Sequence, residues 1–318
     1  MAGILRAGIF PHHRFVFLDF IDRLQIEVNS APFNPPAFAH DVFEELVRRM
    51  MAGKSLTRGD RNILQVHFLL VIGNAGIVLA QRCDYAAYLG LALSAETTLP
   101  DGSTLAQRFG GPLYKQWANP LDDSVAISFP PLGCTLGLCG ICVSRDRKLI
   151  TKKKEVVTHT GTDYGRRLHF GASQIRFDYD DPRCYADRGN PDPAGQLRVL
   201  LETREATRVI AEASTIRPLG LGIFLKDHHP EAFYEVSCDL PATTIVAEAR
   251  KALRFEGEIE AIPLDDIRRL GRILHEEEEE SVFADHHAGG LIALLHKYGQ
   301  EELIRPFLPT EPLPASFS

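Results

Sequence analysis

Several things are scarce in this sequence. Its 318 residues include six cysteines, three methionines and one tryptophan. The cysteines, at 83, 134, 139, 142, 184 and 238, are too sparse for a disulfide scaffold in a chain of this length, so reduced thiols and a cytoplasmic setting are expected. No run approaches the roughly 18 uninterrupted apolar residues of a membrane span. The best, Phe68 to Ala80, is broken by Gly73, Asn74 and Gly76, and Met1 to Phe10 is short for the apolar stretch of a secretory leader. Neither charge sign dominates: 35 Lys+Arg against 42 Asp+Glu leave −7. Without a basic stripe, nucleic acid is not an expected partner. Internal repeats are lacking, and low complexity is confined to Glu276–Glu280. Neither a serine-hydrolase Gly-x-Ser-x-Gly nor a complete P-loop Gly-x-x-x-x-Gly-Lys-Ser/Thr motif occurs.

What is present is ordinary globular composition, 45% hydrophobic and 24% charged. The length suggests about two domains, or one large domain with extensions. Residues 1–60 read as an N-terminal extension, with a strand over 14–20 and a helix over 41–51. Residues 61–123 read as an α+β region: strands at 66–71 and 76–79 flank Gly-Asn-Ala-Gly, and Asp84 is placed to cap a short helix. Strands are expected at 124–129 and 138–144, the latter leading through the polar turn Arg145-Asp146-Arg147-Lys148 into 149–151. After a glycine-rich stretch, 197–213 has helical spacing, with Val199, Leu200, Ala206, Ile210 and Ala213 on one arc. Strands at 219–225 and 233–240, a helix at 265–274 and a helical tail over 281–303 complete the reading.

Strand, polar turn, strand, glycine loop, amphipathic helix, strand, strand, helix is the order of a Nudix domain, and the residues resemble one. Leu138-Cys-Gly-Ile-Cys-Val-Ser-Arg-Asp-Arg-Lys-Leu-Ile-Thr-Lys-Lys-Lys is similar to the family's strand pair with its Asp-centred turn. His169-Phe-Gly-Ala-Ser sits where the glycine loop opens the Nudix box, and Arg208-Val-Ile-Ala-Glu-Ala-Ser-Thr-Ile falls on the Arg-Glu-U-x-Glu-Glu-x-Gly-U segment. Within the superfamily, the UDP-glucose/UDP-galactose pyrophosphatases are the nearest likeness, through Tyr85-Ala-Ala-Tyr-Leu-Gly, Trp117-Ala-Asn-Pro-Leu, Arg217-Pro-Leu-Gly-Leu-Gly-Ile and Glu231-Ala-Phe-Tyr-Glu-Val-Ser-Cys-Asp-Leu. The resemblance covers about 77–270. It implies an α/β/α sandwich with a mixed sheet over 124–274, followed by a helical tail at 275–318.

The resemblance also implies a site. An active Nudix box clusters glutamates on one helix to hold Mg²⁺ against a diphosphate, whose charge must be neutralised as the P–O bond breaks. Here Arg208 and Glu212 are retained, but Val209 and Ala213 stand where two metal-binding glutamates belong. Glu202, Glu205 and Glu212 fall within roughly 80° on an ideal helix, so they could form a shifted metal site; the plainer reading is a solvated acidic face. Arg208 could orient Glu205 or Glu212, or simply pair with one on the surface. Arg145, Lys152, Lys154 and Gly171 are the implied contacts for a nucleoside-diphosphate-linked ligand.

Three functions follow, and the missing glutamates favour the first and third over the second. The first is binding of such a ligand, with hydrolysis lost or weakened. The second is an active Mg²⁺-dependent nucleoside diphosphate-sugar pyrophosphatase using Glu212, Glu205, Glu202 and Arg208. The third is a non-catalytic scaffold for a protein partner. The remaining chemistry-bearing residues have plain readings. Cys139-x-x-Cys142 has ligand-like spacing but lies in an apolar strand, where thiols act as small hydrophobes. His228 and His229 read as loop residues, and His275 with Glu276–Glu279, followed by His286 and His287, reads as a solvated charge run. Glu235, Glu256 and Glu258 are candidates for a general base by location only.

Overall fold

In the computed structural model of the protein the described residues are 8–10, 15–31, 33–35, 37–52, 62–92, 98, 101–104, 107, 118–119, 124–129, 134–153, 167–205, 208–224, 229–251, 258–275 and 285–305. Lys154, His228, Glu256 and Glu276–Glu280 lie outside them. Within them the chain is mixed α/β, built on two mixed sheets.

The smaller sheet runs β3 (Arg23–Asn29), β5 (Ala75–Asp84), β4 (Asn62–Ile72), β7 (Ser124–Ser128), β6 (Ala118–Asn119). Its centre is the hairpin β4–β5, longer than the sequence pattern suggests, which turns at Gly73-Asn74. Gly73 takes φ +57°, where a Cβ would be strained. Strand β7, which opens the stretch expected to form the main sandwich, pairs instead with β4.

The larger sheet runs β1 (Gly8–Phe10), β2 (Phe15–Phe20), β12 (Ser214–Phe224), β13 (His229–Cys238), β8 (Gly137–Ser144), β9 (Lys148–Lys153), β10 (Arg167–His169). Strand β11 (Gly171–Gln174) also pairs with β8, and β14 (Glu258–Pro263) with β9. β8 and β13 are parallel; the other pairings in this sheet are antiparallel. Beside their turn β8 and β9 pair with each other, through Cys142–Ile150 and Val143–Leu149. Farther along, β8 takes β11 and β9 takes β10 as partner. The N-terminal segment thus contributes two strands, β1 and β2, to this sheet and a third, β3, to the smaller one.

Both faces of the larger sheet are covered, and the alternation of side chains along β8 shows how. Leu138 and Cys142 join a core with Leu197, Leu200 and Ile210, while Cys139, Ile141 and Val143 join a second core with Leu291, Ile292 and Leu295. This is the two-residue period of a strand buried on both sides. After α1 (His40–Met51) and α2 (Tyr85–Ala87), which add Phe43, Leu46 and Tyr85 to the first core, the first face carries α3 (Pro193–Leu200), a π-helical turn over Leu201–Glu205, and α4 (Arg208–Glu212). Asp192 caps α3 by accepting from the Ala194 N–H, and Pro193 follows at the first helical position, where its missing N–H costs nothing. The second face carries α7 (Asp285–Lys297).

Glycines let both helices approach closely. A Cβ on Gly140 or Gly171, which are register partners, would lie 2.7 or 2.8 Å from Cδ1 of Leu197. On the other face a Cβ on Gly290 would lie 2.7 Å from Phe233 and 2.9 Å from Ile141. The expected continuous tail helix is in fact α7 and the short α8 (Glu301–Ile304). Gly299 at φ +73° ends α7, with Gln300 N–H donating to Leu295 O and Gly299 N–H to His296 O, a Schellman arrangement. Between β13 and β14 lies α5 (Ala242–Ala249), and after β14 comes α6 (Ile267–His275).

Candidate functional site

The helix expected to carry the acidic site is not one α-helix. Its π-helical middle turns less per residue than an α-helix, so an angle counted at 100° per residue does not carry from Glu202 to Glu212. Arg198 spans the interruption, its guanidinium donating to the carbonyls of Ala211 (2.5 Å) and Ser214 (3.2 Å) at the end of α4.

Each acidic side chain described on this helix has an arginine partner. Arg183 forks onto Glu202 at 2.8 and 2.7 Å while also holding Asp181. This hydrogen bonding pulls the Glu202 carboxyl below its usual range, with a smaller contribution from the charge of Arg208. Arg208 Nε donates to Glu212 Oε1 at 2.7 Å in an i,i+4 pair whose side chains are 81% and 61% exposed. Glu205 lies in the π turn, and its side chain is not among those described. Val209, at a position the Nudix pattern gives to glutamate, is exposed.

Magnesium requires several carboxylate or water oxygens in near-octahedral array. The two of these acids whose side chains are described, Glu202 and Glu212, each face a guanidinium group.

The implied ligand contacts are dispersed as well. Arg145 is exposed in the β8–β9 turn. Lys152 is buried toward the far end of β9, between Leu168 of β10 and Ile259 of β14. Lys148 to Lys152 alone spans roughly 13 Å of strand. Gly171 lies in β11 beneath Leu197, where it seats a helix rather than opening a loop. Of the general-base candidates, Glu258 is exposed at the start of β14. Glu235 is buried, accepting from Lys297 Nζ (2.5 Å), Tyr298 Oη (2.8 Å) and Ser237 Oγ (3.2 Å).

A different cluster comes together under α7. Cys139 of β8, His169 of β10 and His287 of α7 are all buried, and one potential ligand atom from each lies within 4.8 Å of the others. Cys139 Sγ is 3.5 Å from His287 Nδ1, which also accepts from the His169 backbone N–H at 3.0 Å. His169 Nε2 is 2.7 Å from the carbonyl oxygen of His287. A carbonyl only accepts, so Nε2 carries the proton and the ring's lone pair sits on Nδ1.

Glu231 lies nearby on the same face, its carboxylate against Gly137 and bonded to His229 Nε2 at 2.9 Å. Burial pushes the Cys139 thiol well up; Glu231 adds to this, and Lys152 opposes it by less. The expectation of solvated or loop histidines fails for His287, at 2% exposure, and His229, at 7%. Both are buried because α7 and β13 bury them, which their polar sequence neighbours do not reveal. The expectation of buried thiols holds for Cys139 and Cys142, and the other four cysteines are buried as well.

No protein-family profile matches the chain, and no curated protein sequence matches it.

Proposed function

We propose that the protein is a Nudix-like α/β/α sandwich that binds a nucleoside-diphosphate-linked small molecule, with pyrophosphate hydrolysis lost or weakened. Support for the fold comes from the order of elements: β8, polar turn, β9, β10 and β11, then the α3–α4 helix, β12, β13 and α5, with helices over both sheet faces. The observation that carries the functional reading is the pairing of Glu202 with Arg183 and of Glu212 with Arg208. A diphosphate hydrolase of this type needs those carboxylates on metal, and metal ions supply the charge neutralisation that bond breaking requires. Guanidinium groups already neutralise them. The binding half of the proposal rests on the resemblance and on the same arginines, since Arg183 and Arg208 are both partly exposed and could fork onto phosphate as they fork onto carboxylate.

The test has two arms. Incubation with UDP-glucose or ADP-ribose and Mg²⁺ or Mn²⁺ is expected to yield no nucleoside monophosphate, while the same compounds raise the unfolding midpoint without added metal. Monophosphate that disappears in Glu212→Gln would instead establish the Mg²⁺-dependent pyrophosphatase. No turnover and no stabilisation would leave the scaffold reading, in which the protein meets a protein partner.

A further inference from the structure

We infer that Cys139, His169 and His287 form a binding site for a zinc-class transition-metal ion that fastens helix α7 to the larger sheet. The three residues come from separate parts of the chain, β8, β10 and α7, so the cluster is made by the fold and not by local sequence. A thiolate and two imidazoles are a soft and borderline donor set, suited to zinc and unsuited to magnesium. The spacing agrees. With metal–sulfur near 2.3 Å and metal–nitrogen near 2.0–2.1 Å, a tetrahedral ion puts sulfur and nitrogen about 3.5–3.6 Å apart, and Cys139 Sγ to His287 Nδ1 is 3.5 Å.

The surroundings match what metal-binding histidines need. His169 donates its Nε2 proton to the main-chain carbonyl of His287, which fixes the tautomer with the lone pair on Nδ1. On His287 the lone pair of Nδ1 faces the thiol and the His169 amide, so an ion would take over a nitrogen already deprotonated. Binding then displaces one proton, from the Cys139 thiol, and forms one metal–sulfur and two metal–nitrogen bonds. Three protein ligands leave a fourth tetrahedral position for water or another small ligand. A metal-free hydrogen-bonded cluster, with the S–H donating to Nδ1, is the competing account. The distances alone suit both.

Titration of the full-length, reduced protein with cobalt(II) separates the two. The expected result is one equivalent bound with a thiolate-to-cobalt charge-transfer band in the near ultraviolet, displaced by one equivalent of zinc. Cys139→Ser should abolish the band. His169→Gln and His287→Gln should each weaken binding at least about 100-fold, since even outer partners of a metal site cost 10–100-fold. Cys142→Ser, a thiol on the opposite face of the same strand, should leave the band unchanged, with far-ultraviolet circular dichroism confirming that each variant is folded. Folded wild-type protein that shows no such band overturns the assignment, as does a band that survives Cys139→Ser or disappears in folded Cys142→Ser. The wild-type titration decides the matter even if the Cys139 variant does not fold.

Discussion

Asp146 shows how one side chain can join two elements. It lies in the β8–β9 turn, yet its Oδ1 accepts from the Ala242 N–H at 2.7 Å, serving as the cap that Pro241 cannot supply at the start of α5. That hydrogen bond, helped by Ser144 and Lys148, pulls its pKa from 3.8 to about 2. A carboxylate with a depressed folded pKa adds stability above its unfolded value, and this is lost as pH falls through the folded one. Asp146→Ala should therefore cost about 1 kcal/mol near neutral pH, as cap removal does. The gap from wild type should close between pH 3.8 and about 2, as chemical denaturation across that range would show. Glu235 is the buried counterpart. Burial alone would raise its pKa, but the hydrogen bonds from Lys297 and Tyr298 outweigh it and hold the carboxyl below its usual range. Changes at this contact should be graded: Tyr298→Phe about 1 kcal/mol, and Glu235→Ala about 1–3 kcal/mol, because that change takes the shared acceptor from Lys297, Tyr298 and Ser237 together. Equal losses for both variants in urea unfolding would mean that Tyr298 carries the whole contact.

At the scale of elements, the two arginines that pair with the acidic helix should separate. Arg208→Ala removes an exposed i,i+4 pair and should change stability by no more than about 0.5 kcal/mol. Arg183→Ala breaks a bidentate pair with a largely covered Glu202, joining the segment before α3 to the π turn, and should cost more, up to about 1 kcal/mol. Thermal midpoints of the two variants side by side would reveal the order; the reverse order would mean that Arg208, not Arg183, holds the helix. How much of this was legible follows the physics of each element. The strand over 138–144, its Asp-containing turn and the helical spacing from Leu197 announce themselves by apolar spacing and turn residues. The helix's true start at Pro193, capped by Asp192, falls in a stretch rich in glycine and proline that reads as loop. The π turn does not announce itself either, because it leaves no mark on an α-helical count. Nor does the site under α7. Cys139 sits in a strand apolar on both faces, so sequence could not tell which face it served. His287 follows a run of glutamates and looks solvated until α7 is laid on Phe233 and Ile141. A long-range contact of three residues, 139, 169 and 287, is visible only after the sheet is ordered.

At the scale of the molecule, the sequence reads as an N-terminal extension, an α+β region packing on a central core and a helical tail, and the described packing ties residues of these parts together. One apolar core holds Ile63, Leu64, Val66 and Val78 of the smaller sheet together with Leu138, Cys142, Leu221 and Tyr234 of the larger. Main-chain contacts join the sheets as well: Ile63 of β4 bridges to Arg176 just past β11, and Val66 N–H donates to Cys134 O, ahead of β8, at 2.8 Å. The second face of the larger sheet depends on α7, whose Leu291, Ile292, Leu294 and Leu295 are fully buried. At about 1.5–3 kcal/mol for each such side chain, their loss would rival the 5–15 kcal/mol of net stability typical of a folded protein. Deleting residues 285–318 should therefore abolish cooperative unfolding and expose a dye-binding apolar face, even though the residues before it are unchanged. The intact chain should unfold in a single transition, with fluorescence and circular dichroism coinciding. Two resolved transitions, or a truncated chain that still melts cooperatively, would show that the sheets are separate folding units and that the core shared between them is only a contact surface.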